Sequence, residues 1–249
     1  MKKIIFFGLL AFLIAAAWQL PLSYAKPHIE KFTKGDIQLG EASGTIWKGK
    51  ASDFSYRNTQ LGELNWTIQP IKSLMSLSLT STFKLRGDDL NANGLASVFP
   101  NKKLTLEGTE FDINAPFINK FQNKAKLGGE FKGKLTHAVV HNKNLPIISG
   151  TLDWNEGALQ SPIKLPAGNY NAIFTPDSGD MRIKLTSSDA PAELNGDIKL
   201  NKDWKYDSSI KVIANDPGLN SMLKFTGKPQ ADGSFSFKQK GDLSPFIGK

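Results

Sequence analysis

Apolar and polar residues alternate with a period of two along much of this chain. The longest alternation covers residues 75 to 86. Met75, Leu77, Leu79, Phe83 and Leu85 fall on one parity, and Ser76, Ser78, Thr80, Thr82, Lys84 and Arg86 on the other. Successive side chains of a strand point to opposite faces, so this run predicts a half-buried strand with one wet face. The pattern recurs at Leu104 and Leu106, Phe111 and Ile113, Phe131 and Leu135, and Leu152 and Trp154. It returns at Met181, Ile183 and Leu185, at Ile198 and Leu200, and at Phe235 and Phe237. Turn-forming clusters such as Arg86-Gly87-Asp88-Asp89, Pro176 to Asp180 and Lys228-Pro229 separate the runs. That punctuation predicts an antiparallel β architecture. One wet face per strand excludes a parallel sheet covered on both sides. The expected fold is mainly β: a single curved antiparallel sheet or sandwich-like domain over residues 26–249, uninterrupted by a linker.

Helical patterns are few. Asp216-Pro217-Gly218 ahead of Leu219, Met222 and Leu223 reads as an N-cap, a proline at the first position and an apolar face. Short helical turns are expected near Leu95–Phe99 and Pro116–Phe121. At the N-terminus, Lys2 and Lys3 precede an apolar run from Ile4 to Ala17, followed by Trp18, Gln19, Leu20, Pro21 and Leu22. Two physical readings fit residues 1–25. As an anchor, Ile4 to Leu22 is long enough to cross a bilayer, with the lysines held on the cytoplasmic side and Trp18 at the interface. As a signal peptide, the apolar run ends in Ser23-Tyr24-Ala25, a small-residue end that suits cleavage before Lys26. Both place everything after residue 26 outside the cytoplasm.

A weak repeat runs through the chain: Gly44-Thr45-Ile46-Trp47, Gly62-Glu63-Leu64-Asn65-Trp66 and Gly150-Thr151-Leu152-Asp153-Trp154. Each reads as a glycine at a turn or bulge, then a strand ending in an indole that covers an apolar face.

Composition narrows the function. The chain has 249 residues, 31 basic against 23 acidic, and no cysteine. Thiolate nucleophiles, Fe–S clusters and cysteine-based zinc sites are thereby excluded, and the count is compatible with an oxidising compartment. The net charge of +8 is spread singly along the strands rather than clustered, which argues against nucleic acid as partner. His137 and His141 would share a strand face about 13 Å apart, too far for one metal ion. The sequence holds no Gly-x-Ser-x-Gly elbow, phosphate loop or dinucleotide fingerprint. Asp88-Asp89 and Asp177/Asp180 sit in turn contexts, where aspartate bonds to its own backbone.

The element Ser43-Gly44-Thr45-Ile46-Trp47-Lys48-Gly49-Lys50-Ala51 resembles the Ser-Gly-Thr-Leu-Trp-x-Gly-x-Ala element of the type II secretion system protein N family. Leu64-Asn65-Trp66-Thr67-Ile68-Gln69-Pro70 is similar to the segment that follows it there. Gly129 to Leu135, Gly150 to Trp154 with Leu159 to Pro162, Ala190-Pro191 through Gly196, and Leu219 to Gly241 continue the likeness. The motif residues carried over are Gly44, Thr45, Trp47, Gly49, Trp66, Pro70, Gly150, Trp154, Pro162, Pro191 and Gly196, all as structural positions. The resemblance implies an accessory component of the type II secretion machine in the inner membrane, with its bulk in the periplasm and no catalytic residue, cofactor or metal. Its implied partners are other inner-membrane and periplasmic secretion components, with exoproteins or lipid as further candidates. The general pattern is also similar to AsmA-like envelope proteins, whose curved sheets carry an apolar groove. One-sided apolar strands suit such a groove here, with Leu77, Phe83 and Trp154 as candidate lining residues.

Overall fold

The computed structural model describes residues 19–121, 125–142, 144–161, 165–215 and 217–244. Lys2 and Lys3, the apolar run with Trp18, Pro162 and the expected N-cap Asp216 lie outside the described residues. The chain divides into two compact units, with the boundary between Asn93 and Gly94.

In the first unit, α1 (Leu22–Phe32) leads into β1 (Ile37–Leu39), β2 (Ala42–Gly44), β3 (Lys48–Tyr56) and β4 (Thr59–Ile68). A short helix, α2 (Pro70–Ser76), and β5 (Leu79–Arg86) follow. The strands form an antiparallel sheet in the order β1-β3-β4-β5, with β2 also on β3. Arg57 and Asn58 both have positive φ between the paired residues Tyr56 and Thr59. That is the two-residue turn whose twist matches the twist of a hairpin.

α1 is part of this unit. Pro21 bridges Thr45, the Ile46 N–H donates to the Leu20 carbonyl at 3.2 Å, and Leu22 is 1% exposed. Lys26 Nζ donates to the Gly40 carbonyl at 2.5 Å, and Glu30 Oε1 accepts the Leu39 N–H at 3.1 Å. The helix thus occupies backbone groups that β1 would otherwise present to water. Leu20 to Leu22, the far end of the expected membrane span, and Ser23-Tyr24-Ala25, the expected cleavage site, are both built into folded structure.

The long alternation holds only from residue 81 onward, two residues into β5. Residues 70–76 are helical, because Pro70 suits the first helical position and Leu77, at φ 51°, closes the helix in the left-handed region. Met75, Leu77 and Leu79 are exposed, whereas Ser78 and Thr80 are buried. Hydroxyls make that burial affordable: Ser78 Oγ lies 2.7 Å from Ser76 Oγ and 3.0 Å from Thr80 Oγ1. Buried polar atoms are tolerated when they find such partners.

β6 (Leu90–Val98) carries the chain from the first unit into the second. It replaces the helical turn expected at Leu95–Phe99. Ser97, buried inside a strand, shows that pairing outweighed the local pattern there.

The second unit contains β7 (Lys103–Asn114), α3 (Ala115–Asn119), β8 (Lys126–His141), β9 (Ile147–Ser161) and β10 (Leu165–Asp177). It continues with β11 (Asp180–Ser188), β12 (Ala192–Leu200), β13 (Lys205–Ala214), α4 (Pro217–Thr226), β14 (Lys228–Pro229) and β15 (Phe235–Asp242). All pairings are antiparallel, in the order β7-β8-β9-β10-β11-β12-β13-β15-β14. From β7 to β13 this is an up-and-down meander in one layer rather than a sandwich, each strand pairing with its neighbours in sequence; β15 then pairs with β13 and carries β14 on its outer side. The strand calculus of the sequence holds here: Met181 is buried and Arg182 and Lys184 exposed, in strict alternation. The helical expectations at Pro116–Phe121 and Pro217–Leu223 correspond to α3 and α4.

Two clusters close the ends of the apolar face. Leu219 and Leu223 of α4 pack on Ala192 and Phe235 at one end. Leu145, Met181 and Leu200 form the other cluster, with Phe174, Ile183 and Trp204 against it.

Candidate functional site

Between those two clusters the apolar face of the second unit is open. The register sets Phe131 opposite Trp154 and Trp154 opposite Tyr170. The three rings therefore line up across β8, β9 and β10. Phe131 and Trp154 are stacked with centroids 5.2 Å apart, and Trp154 and Tyr170 are 5.3 Å apart. The next row pairs Gly133 with Leu152, Leu152 with Ala172, Ala172 with Leu185, and Leu185 with Gly196. Small residues alternate there with leucines. Above Ala172 this leaves a cavity of about 290 Å³, lined by the aromatic row, Leu152, Leu185 and Leu194.

The walls are held by backbone contacts. Trp154 Nε1 donates to the Gly128 carbonyl at 2.9 Å, which fixes the indole plane. The Ser187 hydroxyl donates to the Ala192 carbonyl at 3.1 Å and accepts the Leu194 N–H at 2.7 Å. Tyr170 differs: its hydroxyl oxygen is buried and has no hydrogen-bond partner among the described residues. Burial pushes its ionisation above the ordinary tyrosine value. The site can therefore accept an apolar group and offers one buried donor beside it. Its described lining includes no nucleophile–base pair.

A second feature is the outer edge of β15. β14 covers only Phe235 and Ser236 of that edge among the described residues. Lys238 and Lys240 follow on the exposed strand, and Lys240 pairs with Asp207 at 2.7 Å. Lysines on an edge blunt indiscriminate pairing while leaving the backbone accessible.

Carboxylates gather on the polar face at β7 and β8. Desolvation, then a hydrogen bond with Glu130, raises Asp112, while hydrogen bonds from Lys132 and Asp112 lower Glu130. The pair sits on an open sheet surface rather than in a cleft. His137 and His141 are on β8, and His141 Nε2 lies 3.2 Å from the Asn101 carbonyl.

Of the expected groove residues, Trp154 lines the cavity. Leu77 is exposed on the turn after α2, and Phe83 pairs with Trp66 in β5, both in the first unit. Phe131, Tyr170 and Ala172 were missed as groove residues. β10 is hard to see in the sequence, because exposed Ile173 breaks the alternation of Tyr170, Ala172 and Phe174 and Pro176 stands near its end.

The described motif residues fall in strands, in turns and at a helix start. Gly44 ends β2 at φ +89, and Thr45 Oγ1 accepts the Lys48 N–H at 3.2 Å. Trp47 sits in the turn between β2 and β3, and its carbonyl accepts the Ile68 N–H. Gly49 lies under Trp66, whose Nε1 donates to the Ile46 carbonyl at 3.1 Å. Trp66 and Trp154 lie within strands rather than at their ends. Pro70 opens α2, Gly150 pairs with Phe174, Gly196 pairs with Ile210, and the Pro191 carbonyl accepts the Asn215 N–H.

Comparison with known proteins gives a consistent picture. The profile of a family described as "Type II secretion system (T2SS), protein N" matches residues 35–238. A type II secretion system protein N from Klebsiella pneumoniae is 24% identical, with 97% of each chain covered. Proteins of the same name from Aeromonas hydrophila and Vibrio cholerae are each 22% identical, covering 83% of this chain and 85% of theirs. No solved structure gives a significant match.

Proposed function

The chain belongs to the type II secretion system protein N family, and from that membership we propose that it is a non-catalytic interaction module of the secretion machinery. In this reading the expected span that starts at residue 4 holds it at the inner membrane up to Leu20, where the folded unit begins, with the remainder in the periplasm. The open edge of β15 carries the proposal. Over Phe237–Asp242 the outward-facing backbone groups, those not turned to β13, have no partner strand among the described residues and can take an added strand, the commonest way in which a sheet edge recognises an extended segment. Lys238 favours a partner strand bearing acidic side chains. Partners of that kind are other secretion components or exoproteins.

A clean deletion of the gene is expected to leave folded exoproteins in the periplasm and deplete them from the medium. Restoring the wild-type gene should reverse this, and Lys238→Glu with Lys240→Glu should restore it only in part. A secretome unchanged by the deletion, together with no envelope partner in a pull-down, would refute the reading.

The cavity favours a second reading, in which the second unit carries a hydrophobe. About ten methylenes would fill 290 Å³ at a volume of ~30 Å³ each, comparable to a liquid water. At ~0.8 kcal/mol per buried methylene such a chain would bind usefully. Mass spectrometry of gently extracted protein should then find acyl lipid bound to the wild type and lost from Leu185→Trp. Lipid-free wild-type protein would dismiss the idea.

A further inference from the structure

α2 is built inside out. Ser73 and Ser76 face the sheet: Ser73 Oγ donates to the Thr80 carbonyl at 3.3 Å and accepts the Thr80 N–H at 3.0 Å. Ile71, Leu74 and Met75, three and four residues apart, occupy the opposite face and are 76%, 76% and 81% exposed. Leu77, 76% exposed, and Leu79 extend the same patch. Contiguous exposed apolar surface of this kind marks a contact with a membrane or a partner.

The backbone says which. The Ile46 N–H donates to the Leu20 carbonyl, and the Ile68 N–H donates to the Trp47 carbonyl at 2.7 Å, two residues before Pro70. The point where the N-terminal segment enters the unit and the start of α2 are therefore at one end of one sheet. No spacer intervenes: Leu20 is already hydrogen-bonded into the unit, and the apolar run ends at Ala17. From Gln69 to Thr82, the stretch at this end of the sheet, the sequence has one basic residue, Lys72, and no acidic one. That balance suits anionic head groups.

We propose that α2 and the turn after it form a membrane-contact surface, with Ile71, Leu74, Met75 and Leu77 seated at the head-group and acyl boundary and Lys72 reaching the phosphates. The occupant is the bilayer in which the N-terminal segment is anchored, so the inference rests on that anchoring. An apolar helix face lying in the interfacial plane, with a basic residue on its flank, is a recurrent mode of membrane binding.

The absence of native cysteine permits a direct test. Full-length Leu74→Cys and Gln60→Cys would each carry a bimane label and be reconstituted into phosphatidylethanolamine–phosphatidylglycerol vesicles. Gln60 is exposed beside the β3–β4 turn, at the far end of the strands. Brominated acyl chains are expected to quench the Leu74 label several-fold more than the Gln60 label. Equal quenching, with the chain retained on the vesicles after carbonate washing, would overturn the α2 proposal and leave the anchor standing. Loss of the chain from the vesicles would overturn both. A Leu74 label shielded equally in detergent and in vesicles, yet unquenched, would assign the patch to a protein partner and overturn the membrane contact.

Discussion

Single side chains in this protein show where burial and hydrogen bonding compete. Tyr170 buries a hydroxyl without a partner among the described residues, a condition that costs about 1–3 kcal/mol in other proteins. Tyr170→Phe should therefore leave stability unchanged or raise it by about 1 kcal/mol, read from urea denaturation. A clear loss of stability would mean that the hydroxyl is bonded in the folded protein. Gly49 shows the opposite constraint. A Cβ there would stand 2.3 Å from Trp66 Cζ2, and the indole is held by its bond to Ile46, so it cannot withdraw freely. Gly49→Ala should cost about 1–3 kcal/mol in the same assay, the usual penalty for overpacking. The motif glycine was visible in the sequence. The ring above it was not, because the contact joins residues on different strands.

At the scale of elements, the alternation read correctly wherever a strand has one wet face, as at Met181 to Leu185 and Phe235 to Phe237. It misread residues 75–80, where Pro70 had already started a helix and the serine and threonine hydroxyls, not the leucines, turn inward. α1 is the element with the largest functional consequence. Leu22 is its one buried residue, and removing residues before Lys26 would delete it along with the Pro21–Thr45 bridge. Retention of the N-terminal segment is the expected outcome, read by mass spectrometry of the intact protein from membranes. Leu22→Ala should destabilise the first unit by about 2–4 kcal/mol, as leucine truncations in well-packed sites do. A mature chain beginning at Lys26 would contradict this role for α1.

Across the whole molecule, family and architecture were legible because both are written in local order. Period-two alternation with turn residues between runs determined an antiparallel, mainly β protein. The succession of glycine, tryptophan and proline motifs determined the family, and the absence of cysteine removed thiolate chemistry. The cavity, the open β15 edge and the exposed face of α2 were decided only by tertiary structure. Phe131, Trp154 and Tyr170 are far apart in sequence and meet through the registers of β8, β9 and β10. Ile71 and Leu74 look like any amphipathic pair until the sheet takes the serine side of their helix. Periodicity tells which residues share a face, but pairing and packing determine which faces are covered, and a binding surface is a face left uncovered.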